Sequence, residues 1–166
     1  STIDKIIICT STNPQDDPLE EIAIQENVRC FRGSEEDVLV RLLYAAQSHG
    51  LKYFANITAD FPMMDPLLID RAVLEYQKAD VDLLKYDDSN ADLPFNCYLI
   101  KVSALEKVCQ QKKETDTEVW FKHFTSNSFL KIRNIYIEVE YRHKTLKTSL
   151  DYPGDYEFIK CVFAEL

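Results

Sequence analysis

Glycine is scarce in this chain. Only Gly33, Gly50 and Gly154 occur among 166 residues. Neither a GxGxxG fingerprint nor a Walker-type loop can be written from them. Positive charge is also in deficit: 19 Lys and Arg stand against 28 Asp and Glu, for a formal net charge of -9. That balance argues against nonspecific binding to nucleic acid or an anionic membrane, where a basic face is needed. A small phosphate site needs only a few local donors, so nucleotides stay open. No apolar run reaches membrane-spanning length, and no secretory signal is read. The histidines His49, His123 and His143 lie far apart, without ligand spacing. The cysteines Cys9, Cys30, Cys97, Cys109 and Cys161 form an odd set without close pairs. Disulfides and zinc are not expected, and a reduced, cytoplasmic protein is. No serine stands in a nucleophile elbow, so no Ser/His/Asp triad is signalled.

What is present suits one globular domain, with 46% hydrophobic residues and length enough for a core. "KIIICTS" (5–11) reads as a buried strand, with Cys9 and, further on, Cys30 as buried thiols. "DDPLEEIAIQEN" (16–27) reads as a helix with proline at its entry. "VRCFR" (28–32) is a short strand. "SEEDVLVRLLYAAQSHG" (34–50) predicts a helix capped by Ser34 and closed by Gly50. "LKYFANITA" (51–59) is a strand and "DPLLIDRAVLEYQKA" (65–79) an amphipathic helix. This alternation is the mark of a parallel α/β sheet, whose ligands bind beyond the carboxyl ends of the strands.

The second half is less regular. A short strand and a polar loop are expected over 81–96, a strand over 97–102, and a helix capped by Ser103 over 103–113. Thr115 and Glu118 have capping-box spacing, which predicts a helix over 115–125. Segment 129–141 reads as a strand or hairpin arm. A helix with Pro153 in its first turn is expected over 150–166. There is no internal repeat, low-complexity tract or linker.

With glycine loops and triads gone, carboxylates at turns remain. Asp60 follows a strand, and Asp151 and Asp155 bracket "YPG". Carboxylates from two strand ends can share a hard divalent cation that keeps waters and takes phosphate oxygens. The alternative for Asp60 is a helix cap or turn former. Asp155 reads as a favourable first-turn helix charge. In "FRGSEEDVLVR" (31–41), Arg32 and Arg41 could hold an anion. Equally, Ser34 and Asp37 could be N-cap and N3 of a helix and Arg41 a solvated residue.

Four segments in order, "IIICTSTNPQDDPLEEIA", "FRGSEEDVLVRLLYAA", "NITADFPMMDPLLID" and "LKTSLDYPGDYEFIK", resemble the cytidylyltransferases that activate acidic sugars. These are the CMP-KDO and CMP-acylneuraminate synthetases, and especially the spore-coat-polysaccharide (SpsF) type. The resemblance covers nearly the whole chain. It implies an α/β fold, a three-layer αβα sandwich with a mainly parallel sheet. It implies Mg²⁺ as cofactor and attack of a sugar hydroxyl on the α-phosphate of CTP, with pyrophosphate leaving. Asp60 matches the family's metal-binding aspartate and Asp151 its second metal-side aspartate. Arg32, Ser34 and Arg41 match a segment near nucleotide and sugar. Ser11 and Asn13 match the loop after the second strand. A homodimer is implied, and neither nucleic acid nor membrane as partner.

The chain departs from the family pattern in several places. The family's first strand and its basic glycine loop, roughly "ARxGSxRLPGK", have no counterpart, so residues 1–166 are expected to be one domain without that loop. Asn56 stands where the family often has arginine, and "EVWF" (118–121) and "FNCYLI" (95–100) also differ. Three functions stand side by side: a sugar cytidylyltransferase for surface glycans, a catalytically degenerate relative acting as a sugar-nucleotide-binding or dimerisation module, and a generic receiver-like phosphate-binding module. The last lacks the acidic pair after the first strand.

Overall fold

The computed structural model describes residues 2–87, 96–137 and 147–165. In chain order the elements are β1 (Ile7–Ser11), a 3-10 turn (Pro14–Asp16), α1 (Asp17–Gln25), β2 (Arg29–Gly33), α2 (Val38–Ser48), β3 (Tyr53–Asn56), α3 (Pro66–Gln77), β4 (Leu83–Tyr86), β5 (Tyr98–Lys101), α4 (Val102–Gln111), α5 (Lys122–Thr125), β6 (Ile132–Ile135) and α6 (Pro153–Glu165). The strands form two sheets, β1-β2 and β3-β5-β4-β6. β1 and β2 are parallel in the register Ile7↔Arg29 to Ser11↔Gly33. β4 and β6 are parallel from Leu83↔Ile132 to Tyr86↔Ile135. The alternation of apolar β-rich runs with helical stripes therefore produced the expected α/β class, with the strands divided between two sheets.

The chain divides into two compact units. One comprises Thr2–Phe54 and Ile100–Lys131. Its core is built by α2 (Leu39, Leu43, Ala45, Ala46) and α4 (Ala104, Leu105, Val108), with Trp120 and Phe124 also buried. Trp120 meets the rings of Phe121 and Phe124 edge-on, each at 5.8 Å between centroids, the geometry ring quadrupoles prefer. The other unit comprises Ala55–Leu99 and Ile132–Leu166. There α3 buries Leu68, Ala72, Val73 and Tyr76, and Leu83, Leu84, Tyr86, Leu99, Ile135 and Ile159 are also buried. The Tyr86 hydroxyl donates to the Leu68 carbonyl at 2.8 Å, so the ring is buried with its polar end satisfied.

Helix ends account for most boundary differences. α2 closes as a Schellman motif: Gly50 sits at φ +65°, its N–H meets the Gln47 carbonyl, and the Leu51 N–H meets that of Ala46. α1 closes the same way on Asn27 at φ 53°, with the Val28 N–H on Ala23. At the other end of α2 the predicted cap is displaced. Asp37, not Ser34, is the N-cap, accepting the Val40 N–H. Ser34 Oγ accepts the Asp37 N–H instead, forming a tight turn before the helix. α4 begins at Val102, so Ser103 lies inside its first turn and does not cap it. The expected helix over 115–125 shrinks to α5. Thr115 makes no capping box: Asp116 Oδ1 accepts the Glu118 N–H at 3.2 Å, while Thr117 is fully buried and bonds Asp37. β3 ends at Asn56, earlier than read, and the Phe61 N–H closes a turn on the Thr58 carbonyl. The predicted polar loop falls on 88–95 and the end of the predicted arm on 138–146, both outside the described residues.

Candidate active site

In the first unit the candidate residues gather at the carboxyl ends of β1 and β2. The β1 burial pattern peaks at its polar end, Thr10 and Ser11. Asp16 explains this. Its Oδ2 accepts the Thr10 hydroxyl at 2.8 Å, the Ser11 hydroxyl at 2.6 Å and the Ser11 N–H at 3.2 Å. The Ser11 and Thr10 hydrogen bonds hold the Asp16 carboxyl below its ordinary pKa. Ser11 Oγ in turn accepts the Asn13 N–H at 3.0 Å. Arg32, on β2, crosses to the same loop. Its Nε donates to the Ser11 carbonyl at 3.0 Å and its Nη2 to that of Asn13 at 2.8 Å. Its Nη1 pairs with Asp17 at 2.7 Å and Glu20 at 3.2 Å. Ser11, Asn13 and Arg32 thus form one network, and the Arg32 guanidinium is engaged on every nitrogen.

Ser34 and Arg41 form a neighbouring cluster in that unit. Arg41 Nη1 donates to the carbonyls of Ser34 at 2.6 Å and Glu35 at 3.2 Å. Its Nε is buried without a hydrogen-bond partner in the geometry, and the guanidinium lies close enough to Cys9 to oppose the upward push of burial on that thiol. Gly33 makes room for this arginine. A Cβ there would lie 3.0 Å from Arg41 Cγ and 3.1 Å from Phe31 Cε1.

Asp60 and Asp151 belong to the second unit. Asp60 does not cap α3. Asp65 does, accepting the Leu67 N–H at 2.8 Å. Asp60 Oδ1 is instead buried with no hydrogen-bond partner, as is Thr58 Oγ1 on the same turn. The Asp60 carbonyl accepts the Leu150 N–H at 2.7 Å, which brings the segment carrying Asp151 alongside. Asp151 is exposed, and its Oδ2 accepts from Ser149 Oγ at 2.8 Å and pairs with Lys147 at 3.0 Å. The Ser149 hydrogen bond, then that of Lys147, lowers its pKa. Asp155 reaches back from the first turn of α6 to the N–H groups of Asp151 and Tyr152, at 3.0 and 2.8 Å. It also pairs with Lys147 at 2.5 Å. The first-turn charge read from sequence therefore also accepts two backbone N–H groups and shapes the Asp151 turn.

A family model described as cytidylyltransferase matches residues 1–161. The chain belongs to the cytidylyltransferase family. It is 26% identical over 169 residues to the spore coat polysaccharide biosynthesis protein SpsF of Bacillus subtilis, covering 96% of this chain and 67% of that one. It is 31% identical over 112 residues to the uncharacterized protein MJ1063 of Methanocaldococcus jannaschii, covering 68% of this chain. It spans only 45% of that relative's length. Among solved structures, a cytidylyltransferase from Leptospira borgpetersenii matches with TM-score 0.82 at 22% identity, over 96% of this chain and 68% of that one. A CMP-KDO synthetase complexed with CTP matches with TM-score 0.73 at 10% identity, over 99% and 83%. Likeness at these identities establishes a shared α/β fold.

The donor set suits the divalent cation expected of the family. A buried carboxylate oxygen with no donor is unfavourable by about 1–3 kcal/mol or more unless something satisfies it. Asp60 Oδ1 is such an oxygen, and an ionised Asp151 stands on the adjoining segment. Among the described residues no three or more His, Cys, Asp or Glu gather as a metal cage. Mg²⁺ does not need one, since it usually keeps waters and takes one or two carboxylates plus phosphate oxygens. Two elements of these clusters escaped the sequence reading. Asp16 was only the first residue of the helix read over 16–27, and only the polar "TST" at the end of an apolar strand hints at its partners. The set Asp37, Lys112 and Thr117, of which Thr117 is fully buried and the other two partly so, joins positions far apart in sequence, and no local spacing signals it.

Proposed function

We propose that this cytidylyltransferase transfers CMP from CTP to the hydroxyl of a sugar, an acidic one, in surface glycan biosynthesis, as a cytoplasmic homodimer. The observation that carries the reading is the unpartnered buried Asp60 Oδ1, held next to the Asp151 segment by the Leu150–Asp60 backbone bond. The sugar oxygen attacks the α-phosphorus, the α–β phosphoanhydride bond breaks, and pyrophosphate leaves while the hydroxyl proton passes to solvent. Asp60 and Asp151 would hold Mg²⁺, which when bound neutralises phosphate charge and orients the phosphoryl group. Ser11, Asn13, Arg32, Ser34 and Arg41 are proposed to line the nucleotide and sugar side. In that role Arg32 sets the loop 11–13 through its carbonyls, and Arg41 supplies donors. The three-layer αβα sandwich of the nucleotide-diphospho-sugar transferases is the architecture proposed for the whole.

A second reading, a non-catalytic sugar-nucleotide-binding or dimerisation module, is favoured by one observation. The Arg32 guanidinium and the Asp151 carboxylate are both already engaged by protein partners. Pyrophosphate release from CTP and Mg²⁺, tested across a panel of acidic sugars, separates the two. Sugar-dependent release supports the enzyme. CTP binding without release with any sugar supports the module.

A further inference from the structure

We propose that Lys112 is a positioning residue for the segment 33–41, a role that rests on the cytidylyltransferase reading of that segment. The Lys112 side chain is 7% exposed, and its Nζ pairs with Asp37 Oδ2, whose side chain is 13% exposed. The same Nζ donates to the Glu114 carbonyl at 2.8 Å. Asp37 Oδ1 accepts the Val40 N–H at 3.2 Å and the Thr117 hydroxyl at 3.0 Å. The Thr117 N–H donates to the Glu36 carbonyl, and Thr117 Oγ1 accepts the Leu39 N–H. The loop between β2 and α2 is thereby fastened at its last residues. Ser34 hangs from that fastening through the Asp37 N–H. Arg41 lies one helical turn beyond, with its N–H on the Asp37 carbonyl and its Nη1 on Ser34 and Glu35.

A buried ion pair is poor evidence of stabilisation, because desolvating both charges offsets much of their attraction. Removing the ammonium alone would leave the largely buried Asp37 carboxylate without its counter-charge, so stability is lost together with position. What the ammonium adds is direction. It sets the Asp37 carboxylate, which sets the first turn of α2 and so the placing of Ser34 and Arg41. Misplacing groups that contact a ligand by a small distance weakens their action steeply.

The test uses CTP with Mg²⁺ as probe, by calorimetry, together with amide exchange. K112M is expected to bind CTP more weakly by about tenfold or more. K112R, which keeps the charge, returns affinity to within about threefold. L105A, which empties a buried position on α4, the helix that ends just before Lys112, lowers the melting temperature but leaves affinity within about twofold. In K112M the Asp37 and Thr117 amides exchange faster than in L105A. K112M binding CTP as tightly as wild type, or those amides exchanging as in wild type, overturns the positioning role alone. A wild-type chain that does not bind CTP removes the underlying reading, and the proposal with it.

Discussion

Replacing Thr117 with valine removes one hydroxyl and keeps the side-chain volume. Thr117 is fully buried. Its Oγ1 accepts the Leu39 N–H at 3.1 Å and donates to Asp37 at 3.0 Å. Valine strands a buried N–H, a loss of about 1–3 kcal/mol, and removes a hydrogen bond to a charged group, worth about 1.5–3 kcal/mol. The two losses share one atom and are not fully additive, so roughly 3 kcal/mol is expected. For a chain of this size that lowers the melting temperature by about 6–12 °C. Thr115 is the control, being exposed. T115A should stay within about 0.5 kcal/mol of wild type. Urea unfolding followed by the fluorescence of Trp120, the single tryptophan and a buried one, measures both. A T117V loss below about 1 kcal/mol, or one matched by T115A, would refute the buried Thr117–Asp37 network.

Three further outcomes are expected. G33A should destabilise by about 1–3 kcal/mol in chemical denaturation, because its Cβ presses on the Arg41 stem and the Phe31 ring; an unchanged midpoint would contradict that crowding. Asp155 has a pKa lowered first by the Lys147 hydrogen bond, so its contribution is present above the ordinary 3.8 and fades as pH falls through the depressed value. The melting gap between wild type and D155A should therefore be widest near neutrality and close in acid, and a gap constant down to pH ~2 would count against the pairing. Among the free thiols, exposed Cys161 should react first with a disulfide reagent at pH ~8. Cys97 is 3% exposed and pushed up to about 12 by burial, so it should react only on unfolding.

The layout of the fold was legible because most of its signals are local. Apolar β-rich runs, helical stripes, Pro18 and Pro153 at helix starts and Gly50 at a helix end each act within a few residues, and each matches an observed element. Caps were less legible. Ser34, Ser103 and Thr115 all have capping chemistry, but Asp37 took the first place because Lys112 and Thr117, distant in sequence, hold its carboxylate. The choice between a capping Asp60 and a ligating one could not be made from spacing, since Asp65 lies close by and serves α3 as well. The cap went to Asp65, and the burial of Asp60 Oδ1 is a tertiary property that spacing does not signal. Arg32 illustrates the same limit: its residue type suits an anion, yet its partners Asp17 and Glu20 come from α1.

Asp60→Asn bears most directly on the proposed metal site. The substitution keeps shape and removes the charge that a divalent cation needs. CTP binding measured by calorimetry, with and without Mg²⁺, is expected to be strengthened by the ion in the wild-type chain and indifferent to it in D60N, with both folded by circular dichroism. Equal Mg²⁺ dependence in the two would contradict the assignment of Asp60 to the cation.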